Sequence, residues 1–343
     1  MPVRLVRTLA ALAVLIACLA AVDPSAAPAA LGGAQLTVLA SRTHKSLPEI
    51  LVVGPYGQVL SSIAGATGAG NAEWLSWSPD GREYAYIDEG VVPSTVMVAR
   101  AGAPEARTVG TSAYESFPVF DPDGEVVFAT LELYDRKPGV PDYEPSGIYG
   151  TVLWASPVDG SEPRQLFAFG PGALVDPYSA ASDGTVAAMQ GLEIATLTPG
   201  KATLHPVFAT DVVGISSPAI SPDGSRVVFL RDQLEGFSLE SARIGSTQVI
   251  SVSTRGGKPK VIATIPGGAR WPSWDPSGSR LSFTALGLWE KSETDLPGPH
   301  SALMEMNPDG SCLTTVYAAK NGGTVWGGAW RPRRGRAVPP LSC

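Results

Sequence analysis

One phrase recurs along this chain and limits what it can fold into. At Trp74–Ile87 (WLSWSPDGREYAYI) an apolar segment ends in an aromatic, Ser-Pro-Asp-Gly reverses it, and an alternating apolar segment follows. Alternation marks half-buried strands, and Pro, Asp and Gly supply turn geometry, so the phrase predicts one antiparallel hairpin. It returns at Phe117–Ala129, Ser217–Leu230 and Trp271–Thr284. A worn copy at Leu174–Met189 turns on Ser182-Asp183-Gly184, and Trp326–Gly335 is a last copy without its second strand. Self-similarity over tens of residues is the signature of a repeat architecture. The turn glycines Gly81, Gly124, Gly184, Gly224, Gly278 and Gly335 are spaced by 43, 60, 40, 54 and 57 residues. The two shortest spacings match the roughly 40–50 residue unit of propeller repeats, and the excess of the others falls in insertions.

Counting strands between these hairpins gives the closure. The second unit has four: its hairpin, then Thr95–Arg100 and Glu105–Val109. The first has only three, Gln35–Ala40, Glu49–Val53 and Gln58–Ile63, and lacks the strand that carries the Pro-Asp-Gly turn. Val325–Trp330 at the other end supplies it. A ring of blades must close, and one blade built from both chain ends closes it. The expected fold is therefore all-β, a single six-bladed β-propeller over residues 30–343. The motif Ser-Pro-Asp-Gly after an aromatic or aliphatic residue, then charged-x-aliphatic-x-Phe, resembles the repeat of TolB-type β-propellers, and the likeness covers nearly the whole mature chain. That resemblance implies the propeller fold and an extracytoplasmic location. TolB itself carries an α/β domain ahead of its propeller, whereas here few residues separate the expected cleavage site from the first strand.

Residues 1–29 read as a targeting segment. Arg4 and Arg7 precede the apolar run Leu9–Val22, which is short for a membrane span, and Ala27-Pro28-Ala29 fits an A-x-A cleavage site. The alternative is a bacterial lipobox, Leu15-Ile16-Ala17-Cys18, with Cys18 lipidated and the protein anchored to the membrane. After cleavage at Ala29 two cysteines remain, Cys312 and Cys343. In an oxidising compartment such a pair forms a disulfide, closing a loop of about 30 residues worth about 3 kcal/mol in the chain-entropy model. The 25 basic against 32 acidic residues give a formal charge of −7, against the basic stripe that a non-specific nucleic-acid binder needs.

Catalytic and metal motifs are sparse. Asp80, Asp123, Asp183 and Asp223 sit in the turns, and Asp121-x-Asp-Gly opens like a calcium loop, but the further ligands and the Glu of an EF-hand do not follow. These aspartates are expected to accept turn amides, with each turn Gly at positive φ. Trp77, Trp274 and Trp330 directly precede their turns and are expected to pack between blades. No G-x-S-x-G, P-loop, G-x-G-x-x-G or clustered Cys/His pattern occurs. No cofactor or metal site is expected.

The three histidines, His44, His205 and His300, fall in or near connections on one face. A His-rich metal site there would resemble that of oligogalacturonate lyases, which are similar to this repeat family. It would make the chain a propeller lyase or hydrolase acting on polysaccharide at the channel mouth.

The insertions Glu132–Gly150, Asp232–Ser246 and Gly287–Ser301 all join second to third strands, so one face gathers them. They carry Tyr134, Tyr143, Tyr149, Phe237, Trp289, Glu290 and Glu293, with Asp135, Glu144, Glu240 and Asp295 beside them. Aromatic and acidic side chains on loops over a rigid scaffold suit a protein or glycan partner. The expected function is a monomeric, non-catalytic interaction scaffold, secreted or at the cell envelope.

Overall fold

The computed structural model describes residues 34–41, 49–63, 72–88, 94–103, 105–112, 117–136, 147–198, 201, 203–210, 214–235, 243–286, 301–319, 323–333 and 337–343. Every regular element among them is a strand. The first three are β1 (Ala34–Ala40), β2 (Glu49–Val53) and β3 (Val59–Ile63). The second blade is β4 (Ala72–Trp77), β5 (Glu83–Asp88), β6 (Ser94–Arg100) and β7 (Ala106–Ser112). The third is β8 (Val119–Phe120), β9 (Val126–Arg136), β10 (Gly147–Ser156) and β11 (Arg164–Ala168). The fourth is β12 (Val175–Ala180), β13 (Val186–Gln190), β14 (Glu193–Leu197) and β15 (Leu204–Ala209). The fifth is β16 (Ile215–Ile220), β17 (Arg226–Glu235), β18 (Arg243–Ser253) and β19 (Lys260–Pro266). The sixth is β20 (Gly268–Trp274), β21 (Leu281–Leu286), β22 (Ala302–Met306) and β23 (Thr314–Ala318), and β24 (Val325–Pro332) ends the series.

Each blade is a four-stranded antiparallel meander, and the first has the order β24-β1-β2-β3. Leu36 faces Trp330 and Val38 faces Gly328 across that junction, so the two chain ends close the ring as expected. The core follows the same logic. Leu39, Ile50 and Val52 of the first blade bury against Trp77, Tyr84 and Tyr86 of the second. Val98, Val109 and Phe128 join the second to the third, and Ala129, Leu153 and Leu197 the third to the fourth. Ile194 and Phe229 join fourth and fifth, Val249 and Phe283 fifth and sixth, and Leu303 and Trp330 sixth and first. Each face of a blade thus buries its apolar side chains against the next one round the circle.

The turn chemistry also holds. Asp80 Oδ1 accepts from the Arg82 amide at 3.0 Å and the Ser78 hydroxyl at 2.8 Å, and Asp223 and Asp183 do the same for Ser225 and Thr185. In the third blade the acceptor is Asp121, not Asp123: in Asp-Pro-Asp-Gly the first Asp takes the place of Ser78 and accepts the Glu125 amide at 2.9 Å. Gly81 (φ +67°) is required twice, because a Cβ there would also strike the Pro332 carbonyl. Arg331 fills the rest of that seam, donating to the Gly81 carbonyl at 2.7 Å and lying 4.8 Å over the Trp77 ring.

Cys312 and Cys343 are bonded, with Cα atoms 5.2 Å apart. Residues 337–343 lie on the turns of the sixth blade. Ser279 Oγ donates to the Val338 carbonyl at 2.6 Å, Arg280 Nε to the Pro339 carbonyl at 2.7 Å, and the Leu341 amide to Asn307 Oδ1 at 2.8 Å.

Candidate functional site

Two regions are placed by the ring: the face of second-to-third connections, and the central channel. On the face, two of the three insertions are not loops throughout. β9 and β10 stay paired out to Arg136 and Gly147, and β17 and β18 out to Glu235 and Arg243, so each insertion begins as an extended hairpin. Charges and glycines interrupt the alternation in Glu132–Arg136, Gly147–Gly150, Asp232–Glu235 and Arg243–Ser246, so the sequence alone reads these stretches as part of the loops. Pairing runs through backbone groups, so a ladder can continue where the side-chain pattern offers no apolar face.

Tyr134 and Asp135 lie on β9, and Tyr149 lies on β10 opposite Leu133, half-buried. Tyr143, Glu144, Phe237, Glu240, Trp289, Glu290, Glu293 and Asp295 lie outside the described residues, as do Cys18, the 1–29 segment, His44 and His300. Of the three histidines only His205 is described. It sits exposed on β15, the outermost strand of its blade, so its imidazole is at the rim and not near the axis. Among the described residues no cluster of His, Cys, Asp or Glu could hold a metal ion, and no helix is long and apolar enough to cross a membrane.

One strut ties the hairpin face to the channel. Arg270 at the head of β20 binds both carboxylate oxygens of Asp232, at 3.0 and 2.8 Å, and Thr247 Oγ1 donates to the same carboxylate at 2.6 Å. The next residue, Trp271, turns into the channel.

The channel is lined by all six inner strands and encloses about 350 Å³. Its lining repeats a distortion. Where β4 pairs β5, Trp74 and Leu75 together oppose one residue, and Ser217-Pro218 and Trp271-Pro272 do so on β16 and β20. On β12 the extra residue is Tyr178, and on β24 it is Trp326. A bulge re-aims a side chain, and here the residues re-aimed are mostly Trp and Tyr. Trp74, Ser217 and Trp271 hold φ of +59°, +52° and +54°, the bulge position that glycine ordinarily fills. Trp74 lies 6.0 Å ring to ring from Tyr178, a contact between second and fourth blades that only the channel permits. Phe117 completes this wall, 4.7 Å from Trp74 and 4.6 Å from Tyr178.

Trp271 and Trp326 line the same cavity. Ser76 and Ser179 line it too, each accepting the amide of the next blade's inner strand, Phe120 at 3.2 Å and Ile220 at 2.8 Å. Of the carboxylates only Asp121 belongs to the described lining; burial pushes its pKa up, against the Glu125 amide that holds it down. Trp77, Trp274 and Trp330 do pack between blades: Trp77 Nε1 donates to Thr37 Oγ1 at 2.8 Å and Trp274 Nε1 to the Ala219 carbonyl at 3.1 Å. What the sequence reading missed were the tryptophans that precede them: Trp74 and Trp271 three residues earlier, and Trp326 four residues earlier. The signal was a second tryptophan shortly before the turn, W-x-x-W in two copies and W-x-x-x-W in the last.

No protein-family model matches this sequence, and no curated protein matches it. Among solved structures, TolB from Acinetobacter baumannii aligns with a TM-score of 0.59 at 13% identity, over 88% of this chain and 67% of that one. A chain of the nidogen/laminin complex aligns with a TM-score of 0.57 at 12% identity, over 87% of this chain and 98% of that one. A putative TolB from Agrobacterium tumefaciens aligns with a TM-score of 0.52 at 17% identity, over 88% and 99%. At these identities the likeness is one of fold: the chain is built as a TolB-type six-bladed propeller.

Proposed function

We propose that this protein is a secreted, non-catalytic interaction propeller of the cell envelope, and that it captures a partner protein on the face bearing the long hairpins. The observation that carries the reading is the continued pairing of β9 with β10 and of β17 with β18 beyond the body of their blades. Paired strands hold aromatic and acidic residues at fixed positions, which lowers the entropy lost on docking. The disulfide suits an oxidising compartment, in keeping with a leader removed after Ala29. The chain acts as a monomer, free after cleavage; in the alternative route it is held by lipid on Cys18. Mass spectrometry of the N-terminus separates the two.

The test replaces residues 137–146 with Asn-Gly, which closes β9 onto β10 as a two-residue hairpin. Wild type and variant, both checked for an unchanged unfolding temperature, are used to pull down proteins from the cell's own envelope. A protein held by the wild type and lost from the variant is expected. Equal capture by both would remove the tip of this hairpin, residues 137–146, from the function.

A further inference from the structure

We infer that the central channel is a binding site for the end of an uncharged saccharide, separate from partner capture on the hairpins. Two aromatic walls face its cavity: Trp74 with Tyr178 on one side, Trp271 and Trp326 on the other. A pyranose ring is apolar on its C–H faces and polar round its rim. It therefore suits a cavity of aromatic faces and a few placed hydroxyls. Ser76 and Ser179 spend their oxygen on a backbone amide, which leaves each hydroxyl hydrogen free to be donated.

The walls are not arranged for stability. Positive φ strains a non-glycine residue, and the chain accepts it at two tryptophans in equivalent positions. Trp74 Nε1 is also buried without a hydrogen-bond partner, a cost added to the strain at the same residue. Strain and an unpaired donor at the same aromatic residue point to a ligand surface.

Charge decides the class of ligand. A peptide could enter this closed ring by a chain end, which bears an ammonium or a carboxylate. The described lining holds no Lys, Arg or His, and its one carboxylate is already engaged with the Glu125 amide. Burying an unpaired charge there is costly, whereas a sugar terminus brings none.

Tryptophan fluorescence and calorimetry of the secreted protein, titrated with cellotriose, chitotriose, maltotriose and a proline-rich peptide, test the proposal. Saturable binding of at least one trisaccharide is expected, weakened roughly tenfold in W271A and in W74A, the worth of one lost stacking ring. Should either variant unfold, N-bromosuccinimide oxidation of the wild type replaces it: bound sugar protects Trp74, Trp271 and Trp326 in the peptide map. No saturable response to any of the three sugars overturns the site, as does binding unchanged in both variants or unprotected tryptophans. Tighter binding of the proline-rich peptide overturns it in favour of a peptide channel. The 137–146 replacement leaves the sugar response intact, and W271A leaves partner capture intact, so the two readings fail separately.

Discussion

At position 217 the backbone asks for glycine and the sequence supplies serine. Ser217 holds φ +52° and precedes Pro218, which by itself favours an extended, negative-φ residue before it. Unlike Trp74 and Trp271, it brings no ring to the channel, so relief of strain there has little to offset it. S217G is expected to stabilise the fold by about 1 kcal/mol, the lower end of the left-handed penalty, with the denaturant slope unchanged. A destabilised S217G would mean that the serine side chain packs for stability and that the bulge is not strained. Glu305 is the second residue with a distinct signature. Burial pushes its pKa above the ordinary 4.5, while the Arg280 guanidinium, 3.1 Å away, pulls it down and Asp275 pushes it further up. A carboxyl with a raised folded value binds its proton more tightly in the fold than in the unfolded chain. Its contribution to stability is therefore greatest below the ordinary value, falls as pH rises through the interval up to the folded value, and is flat above. Glutamine cannot ionise, so the stability difference between wild type and E305Q is expected to fall across that interval. A difference that rises with pH would show that Arg280 dominates and holds the carboxyl ionised.

The hairpin is the element in which the sequence was most legible, and the reason is local. Ser78-Pro79-Asp80-Gly81 specifies its turn through contacts within a few residues, and the flanking alternation is enforced by burial between blades. The same locality explains what stayed hidden. A bulge adds one residue to one strand, and Trp74 or Tyr178 read in sequence is simply another apolar residue near a strand start. Only the register against β5 or β13 shows that it has been turned inward. The projecting hairpins were hidden for the opposite reason: charges break the apolar alternation of Glu132–Arg136, so nothing in its pattern separates a continued ladder from a loop. Position on the ring was also out of reach for His205, since a strand's rank from the axis depends on the order of the whole blade. The strut from Arg270 to Asp232 shows how these elements are joined, with a projecting strand of one blade fixing the head of the next blade's inner strand beside Trp271.

For the whole molecule the question is what keeps the circle shut. The seam between β24 and β1 is an ordinary antiparallel ladder, yet closure there depends on strands about 290 residues apart, as in the bond from Thr37 Oγ1 to the Ala329 carbonyl. Strand ends fray, and β24 is the last strand in chain order among the described residues. The disulfide acts against that. Cys312 belongs to the last turn of the sixth blade, Cys343 ends the tail, and β24 lies between them, so the bond holds the closing strand within a loop of sequence separation 31. Cross-linking such a loop is worth about 3–4 kcal/mol in the chain-entropy model, and here the open ring is the state it penalises. The double variant C312S/C343S is expected to lose about that much stability. Hydrogen exchange should locate the loss: Val325–Trp330 and their partners Leu36–Leu39 open first, while β13 and β17, across the ring, keep their protection. The tail contacts from Val338, Pro339 and Leu341 should open together with β24, because they dock it from outside the sheet. If protection falls equally in every blade, the bond stabilises the chain through its unfolded state alone, and the seam closes without it.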